Sequence, residues 1–515
     1  MNFKKLVREW RSTGLGLFII LLVGFGVRIY NLTLLPIFAD EAIYIRWAQI
    51  MRAESTLRFL PLSDGKQPLS MWLMIPLLKL ISDPLFAGRL LSVFTGLGTI
   101  FGVFTASYLL FKSKKVALLA SAIYGLVPFA VFFDRMALSD SLLTLFGIWI
   151  FAVGIILIKT LRLDVAMILG FLLGGALLTK SPALYFSLLL PTLVLFAGNA
   201  KNILKYFLLL IPTYLIAYGM YNILRLGPNF HMLSLRNMDY VYPLSHLLNS
   251  PFDPLKPFFD RSGQFYRIMG TGSLFIIWLL GYLANWKDRA KELLILTAWF
   301  LGPILVSSEF SKTMTARYVL FSLPFYVLIA ASVFLKTKGK IRYISWGLVT
   351  LFVFQSLTYN YKLLISPETA NLPRSERSGY LEEWTAGQGI REIASYLSHQ
   401  SLITNQSDVI VGTEGYFGTL PDGLQIYFDS SLRQPNKPEV NVIGIGLQLD
   451  RIPDSLIEAK KAGNLVYLVA NDERMNEDYT KLGLKLIGQF PKSVRPDGTH
   501  QSLLLFEITN ETSTY

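Results

Sequence analysis

Two adjacent carboxylates, Asp40 and Glu41, stand in the stretch Ala39-Asp40-Glu41-Ala42-Ile43-Tyr44, directly after the first apolar run of the chain. Charge beside a membrane is costly to place, and a carboxylate held there suits proton abstraction. Further ionisable groups recur in later loops. Asp64 and Lys66 precede a short apolar run, Asp134, Arg135 and Asp140 lie between two long ones, and Lys180 occupies a tight turn. Lys312 and Arg317 stand at the entrance of another apolar run, and residues 226–243 are rich in aromatics and amides. Cations gathered from several loops suit a phosphate. Carboxylates and phosphate-binding cations at one membrane face together fit group transfer from a lipid-phosphate carrier. Each group also has a plainer reading. Charges at span ends snorkel or mark topology, and Asp40 is placed to cap a helix. Lys180 resists that reading, because so tight a turn cannot carry it far from the membrane. His231 and His246 read as loop residues, not ligands.

The elements that must position these groups are apolar. Of 515 residues, 52% are hydrophobic and 16% charged, and runs of about 18 apolar residues read as membrane spans. The chain has no cysteine and four histidines, which excludes disulfides, thiolate metal sites and cysteine nucleophiles and argues against a histidine-rich metal centre. It contains no HExxH, Walker A or GxGxxG pattern.

Apolar stretches run over residues 14–30, 87–111, 116–133, 141–158, 165–179, 183–198, 204–222, 267–284, 292–308, 316–335 and 342–358, predicting about eleven transmembrane helices. Lysine and arginine concentrate in the N-terminus and in loops 111–115, 159–162, 199–205, 285–291 and 336–342. All of these fall on the cytoplasmic side only if the shorter run 68–81 does not cross, so that run is assigned to the outer interface. The N-terminus is then cytoplasmic, the first span is retained, and Asp40 lies at the outer face. Residues 41–52 are expected to form an interfacial helix capped by Asp40, with Ile43, Trp47 and Ile50 along one apolar face. The basic loops mark topology and call for no nucleic acid.

From residue 364 onward there are 13 basic and 20 acidic residues, against 35 and 15 before it. This tail reads as helical from residue 388, then as strands at 408–412, 424–428, 440–445, 464–470 and 502–508. The expected organisation is a transmembrane domain over 1–363 and a soluble extracytoplasmic α/β domain over 364–515, the latter without a catalytic motif and most simply a binding or scaffolding module.

The motifs Ala39–Tyr44, Gly65-Lys66-Gln67-Pro68-Leu69-Ser70-Met71-Trp72, Asp134-Arg135-Met136-Ala137-Leu138-Ser139-Asp140, Leu178-Thr179-Lys180-Ser181-Pro182 and Ala316-Arg317-Tyr318 resemble, in order and spacing, the GT-C membrane glycosyltransferases. The likeness is to the protein O-mannosyltransferase and aminoarabinose transferase-like group of the dolichyl-phosphate-mannose mannosyltransferase superfamily, and it extends over residues 10–360. It implies transfer of a sugar, with inversion, from a polyprenyl-phosphate carrier to a hydroxyl-bearing acceptor outside the cytoplasm. Asp40 would be the general base and Glu41 would assist or orient it. Lys66 would bind phosphate, although the family sets this lysine directly before proline and Gln67 intervenes here. Arg135, Asp140 and Arg317 match donor-site positions, to which Lys180 is added from its own turn. No cofactor is required by this reading; some relatives bind a divalent cation near the carboxylates, for which Asp40, Glu41, Asp64 and Asp140 are the oxygen donors available. A prokaryotic plasma membrane is the expected location. Two other readings stay open: a multispan transporter or flippase for a lipid-linked substrate, against which the chain shows no internal repeat, and a non-catalytic assembly subunit that displays the α/β tail.

Overall fold

The computed structural model describes residues 3–335, 339–403, 408–428, 439–446, 451–475, 479 and 482–509; residues 336–338 of the last basic loop lie outside these. Among the described residues, seven helices are long and apolar enough to cross a membrane: Glu9–Ile29, Pro84–Phe111, Ser139–Thr160, Ala200–Leu226, Ala290–Phe310, Ala316–Leu335 and Arg342–Ile365. The pair Leu255–Ile268 and Gly272–Asn285, bent by 106°, makes an eighth if counted as one span. The chain is a multi-pass membrane protein.

At three places the expected spans are shortened or broken by local chemistry. Residues 116–133 break into Lys114–Leu126 and Pro128–Phe133, since Pro128 has no N–H to continue the first helix. Residues 181–196 form a shorter apolar helix, in which the α-helical turns Leu184–Leu189 are flanked by 3-10 turns that contain Pro182 and Pro191. Leu163–Thr179 has 17 residues, about 26 Å of helix against a hydrocarbon core of about 30 Å. The run 68–81 is the 12-residue helix Leu69–Leu80, too short to cross, as its length predicts.

The chain divides into two compact units. The first comprises Met1–Leu32, Arg58–Leu73 and Arg89–Pro373; the second comprises Thr33–Leu57, Met74–Gly88 and Arg374–Tyr515. The change near residue 370 agrees with the charge shift in the sequence. Residues 33–57 and 74–88 group with the C-terminal residues in the second unit, and residues 364–373 with the first.

Within the first unit the core is aromatic. Trp299 packs edge-on to Phe151 at 5.0 Å and stacks on Phe186 at 6.2 Å. Glycines let helices approach: a Cβ on Gly147 would lie 2.6 Å from the Phe186 ring, and one on Gly175 2.6 Å from that of Phe146. At the end of the first span the fully buried Arg28 meets the fully buried Asp134, Nη2 to Oδ2 at 2.9 Å and Nε to Oδ2 at 3.0 Å. Arg28 Nη1 also donates to the Gly125 carbonyl at 2.8 Å, and Ser141 Oγ donates to Asp134 Oδ1 at 2.5 Å. A Cβ on Gly96 would stand 2.5 Å from Asp134 Oδ2, so this packing has no room for alanine.

The second unit holds seven strands. Strands β1 (Ile37–Phe38) and β2 (Ala386–Gly387) form an antiparallel pair. Strands β3 (Val409–Glu414), β4 (Val440–Gly446), β5 (Leu465–Asn471), β6 (Leu484–Pro491) and β7 (Ser502–Ile508) make a mixed sheet in the order β4-β3-β5-β7-β6. β3 is parallel to β4 and β5, whereas β7 is antiparallel to β5 and β6. Leu456, Val466, Leu468, Phe506 and Ile508 build the sheet's core. The strand expected at 424–428 is absent: Pro421 precedes the helix Asp422–Gln425, and Asp422 Oδ2 accepts from the Gly418 amide at 2.8 Å, winding this stretch into a turn. The helix Ala39–Ala53 is buried on most sides, with Ala42, Ile45 and Ala48 fully covered and Trp47 at 5.7 Å from Phe417. It is a core helix of this unit, not the one-faced interfacial helix expected.

Breaking the Arg28–Asp134 pair leaves a buried charge without its partner. Asp134→Asn is expected to cost about 3–5 kcal/mol, read as a lower midpoint in thermal unfolding of the purified protein, with the Arg28→Met/Asp134→Leu double variant losing less. A second expectation concerns pH. Burial raises the Asp422 carboxyl to about 6 from an ordinary 3.8, against the lowering effects of the Gly418 amide and Arg46. Its raised folded value means that its contribution is fully present below about pH 4 and is lost as pH climbs through 6, up to about 3 kcal/mol. Asp422→Asn is expected to flatten the stability of the second unit between those values, measured by hydrogen exchange of β3 and the helix Ile390–Ile403.

Candidate functional site

In the first unit the loop over residues 60–70 begins with the tight turn Leu60–Asp64, which ends at Gly65 in the left-handed region, φ 66°. Only glycine fits: a Cβ there would lie 2.5 Å from that of Arg236. The turn sets Asp64 and Lys66 side by side, Nζ to Oδ2 at 3.2 Å. Asp64 Oδ1 also accepts from Arg236 Nε at 2.9 Å and Nη2 at 2.6 Å, a forked contact that orients the helix Met232–Tyr240. Arg236 Nη1 reaches Asp239 at 2.7 Å.

Three more loops are tied to this one. Gln67 Nε2 donates to Ser181 Oγ at 2.9 Å, and Ser70 and Ser139 share a hydroxyl–hydroxyl bond of 2.7 Å. Ser139 and Asp140 open the helix Ser139–Thr160, where an acidic residue complements the first-turn amides. Lys180, extended after the helix Leu163–Thr179, donates to Asp140 Oδ1 at 2.6 Å. Its ammonium also stands 5.2 Å from the Tyr318 ring centre, and the Arg317 guanidinium lies 5.6 Å from the same ring. The Lys180 and Lys66 side chains are each 22% exposed, enough to reach a ligand from a site largely closed to water. The Tyr240 phenol titrates above its ordinary value, chiefly through desolvation, with Lys66, Asp64, Tyr318 and Arg236 as charged or polar neighbours. The end of the helix Ala290–Phe310 is laced to the same loop: Tyr242 N donates to the Phe310 carbonyl at 2.7 Å, and Lys312 Nζ to the Met238 carbonyl at 2.6 Å.

The structure therefore sets Lys66 and Arg236 around Asp64 and Lys180 against Asp140, the loops that carry them being joined by the Gln67–Ser181 and Ser70–Ser139 bonds, with Arg317 beside the same Tyr318 ring as Lys180. Arg135 belongs to neither cluster. Its Nη1 donates to the carbonyls of Val27 at 3.2 Å, Arg28 at 2.8 Å and Tyr30 at 2.6 Å, and its Nη2 to that of Asn31 at 2.9 Å. The last carbonyls of a helix lack intrahelical partners, and this guanidinium serves them at the end of the first span. In the second unit Asp40 and Glu41 occupy the first turn of the helix Ala39–Ala53, whose cap is Phe38 and not Asp40. Glu41, fully buried, accepts from the Phe38 amide at 3.0 Å, so it folds back on its own helix and fixes the turn that carries Asp40.

Sequence reasoning passed over Arg236, whose spacing of three from Asp239 was the available signal, and Tyr318, read only as the neighbour of Arg317. It also passed over Glu309, an acid in the last turn of an apolar span. Glu309 is 5% exposed, and neither carboxyl oxygen has a hydrogen-bond partner among the described residues. Hydroxyl groups of a bound molecule would satisfy such acceptors.

Of the carboxylates named for a divalent cation, Asp140 is paired with Lys180, Asp64 with Arg236 and Lys66, and Glu41 accepts from a backbone amide. Among the described residues no three histidine or carboxylate side chains form a ligand group.

Residues 65–220 match the family model described as dolichyl-phosphate-mannose-protein mannosyltransferase, a stretch that holds Lys66, Arg135, Asp140 and Lys180. Among solved structures, ArnT from Cupriavidus metallidurans in the apo state matches with a TM-score of 0.55 at 13% identity, over 99% of this chain and 100% of that one. The same protein bound to undecaprenyl phosphate matches with a TM-score of 0.51 at 15% identity, over 96% and 98%. The chain has a GT-C fold. The oligosaccharyltransferase AglB from Archaeoglobus fulgidus, in complex with an inhibitory peptide and a dolichol-phosphate, shares this GT-C architecture with a TM-score of 0.51 at 12% identity, over 99% of this chain and 75% of that one. No curated protein matches the chain in sequence.

Within this GT-C fold the Asp64 carboxylate joins two loops. Asp64→Ala is expected to speed amide exchange in the helix Met232–Tyr240 by about tenfold, the weight of one charge-assisted contact, while exchange in Leu163–Thr179 stays unchanged.

Proposed function

We propose that this protein is a membrane glycosyltransferase that moves a sugar from a polyprenyl-phosphate carrier to a hydroxyl-bearing acceptor, whether protein, lipid or glycan, on the extracytoplasmic face. The observation that carries the reading is the cationic network of Lys66, Lys180, Arg236 and Arg317, drawn from four outer loops and stitched by Asp64 and Asp140. Its first half falls in the stretch that matches the mannosyltransferase family model, and the GT-C fold is shared with a protein bound to undecaprenyl phosphate and one in complex with a dolichol-phosphate.

The chemistry asks little covalently of the chain. The acceptor oxygen attacks the anomeric carbon from the face opposite the phosphate. The bond from that carbon to the phosphate oxygen breaks, and the lipid phosphate leaves with the electron pair. Asp40 takes the acceptor's hydroxyl proton. Lys66, Lys180 and Arg317 supply N–H donors to the phosphate as its charge grows; an ammonium has three, so Lys180 retains donors beyond the one given to Asp140. Glu41 acts through the backbone it holds, and Arg135 through the span end it closes. The lysine-rich loops support a cytoplasmic N-terminus and an extracytoplasmic second unit, and we assign the protein to a prokaryotic plasma membrane.

Asp40→Asn, purified at the wild-type level, is expected to lower sugar transfer by about 10²–10⁴-fold with donor binding retained, whereas Lys180→Gln is expected to weaken donor binding. Transfer from a radiolabelled polyprenyl-phosphate sugar checks both, and near-wild-type turnover in Asp40→Asn would remove the base assignment. Mass spectrometry of glycans and glycoproteins from cells with and without the gene identifies the sugar and the acceptor.

A further inference from the structure

The second unit contains a cavity of about 320 Å³ built entirely from its own segments, among them Gln49, Arg52, Asp83, Arg391, Ser395 and Ser398. Its size is at the lower end of small-molecule sites, suited to a single ring with substituents. Gln49 decides what that ring must offer. The side chain is 3% exposed, and its Nε2 donates to the Ile426 carbonyl at 2.8 Å. That bond fixes the amide's orientation, since a flipped amide would set two oxygens against each other. It leaves Oε1 buried without a hydrogen-bond partner among the described residues. A buried acceptor of this kind costs about 1–3 kcal/mol until a donor reaches it.

The rest of the lining selects among donors. An anion would meet the Asp83 carboxylate and the Gln49 oxygen. A cation would meet the guanidinium groups of Arg52 and Arg391. These charges are engaged within the unit: Arg391 Nη2 pairs with Asp83 at 2.7 Å, and Arg52 Nη1 donates to the Leu78 carbonyl at 2.7 Å. Ser395 and Ser398 are exposed at the mouth and add hydroxyls, Ser398 donating to the Ala394 carbonyl and so keeping its lone pairs available. Leu78, Ile81 and Ile426 give apolar wall. A neutral molecule that both donates and accepts through hydroxyls, and carries C–H faces between them, satisfies every part of this surface.

We infer that this cavity is a saccharide-binding site of the second unit, taking one sugar residue of a neutral glycan, with a hydroxyl donated to Gln49 Oε1. The site is separate from the transfer chemistry proposed above and stands without it. The test uses the full-length protein in nanodiscs free of glycosidic detergent, applied to an array of neutral and acidic mono- to tetrasaccharides. Neutral glycans are expected to bind. Gln49→Leu and the mouth-filling Ser395→Trp are each expected to lose about tenfold or more in apparent affinity, the value of one buried hydrogen bond. Ser395 is exposed, so its replacement leaves the core alone if Gln49→Leu folds poorly. Ser395→Trp is expected to keep wild-type sugar transfer while losing glycan binding, which separates this site from the transfer reading. Absence of any bound glycan, binding of acidic glycans only, or wild-type binding by both cavity variants would overturn the proposal.

Discussion

Two guanidinium groups at the end of the first span hold the loop that follows the Pro128–Phe133 helix. Arg28 meets Asp134 with both side chains fully buried, and Arg135, next in sequence, turns the other way to close four carbonyls of the departing helix. A membrane offers no water to satisfy helix-end carbonyls or an isolated carboxylate. The two contacts therefore have to form together, and they set where the helix Ser139–Thr160 begins. Asp140 stands in that helix's first turn. The position of Lys180, and through it the shape of the cationic network, follows from the same knot.

The network itself is economical in charge. Lys66, Lys180 and Arg236 are each matched to a carboxylate, at 3.2, 2.6 and 2.6 Å. Such pairs hold cations near the hydrocarbon boundary at low desolvation cost, while the exposed fraction of each lysine still reaches a ligand. In the proposed reaction a carrier phosphate would meet donors already oriented, the condition under which electrostatic stabilisation of a leaving group is largest. Glu309 stands apart as a buried acid whose carboxyl oxygens have no hydrogen-bond partner among the described residues.

The second unit follows a different logic. Its mixed sheet has an ordinary soluble core, and its polar cavity is closed by side-chain pairs instead of a membrane. The helix that carries Asp40 is largely buried in this unit, and Glu41 accepts from the Phe38 amide at its first turn.

The spans with continuous apolar runs and four of the five expected tail strands were readable from residue type and period. These depend on hydrophobicity and local charge, which a sequence states directly. Three readings needed the tertiary structure. The bonds from Arg135 to the carbonyls of Val27, Arg28, Tyr30 and Asn31 are visible only once the span end is placed beside it. The bond from the Phe38 amide to Glu41 likewise appears only in the folded turn. Residues 424–428 alternate like a strand, but Pro421 and the Asp422–Gly418 contact wind them, while β6, at the sheet edge with its register shift near Gly488, hides behind its glycines. The return of residues 33–57 and 74–88 to the C-terminal unit was equally invisible. Periodicity reports which face of an element is apolar; which other segment covers that face is decided only when the chain packs.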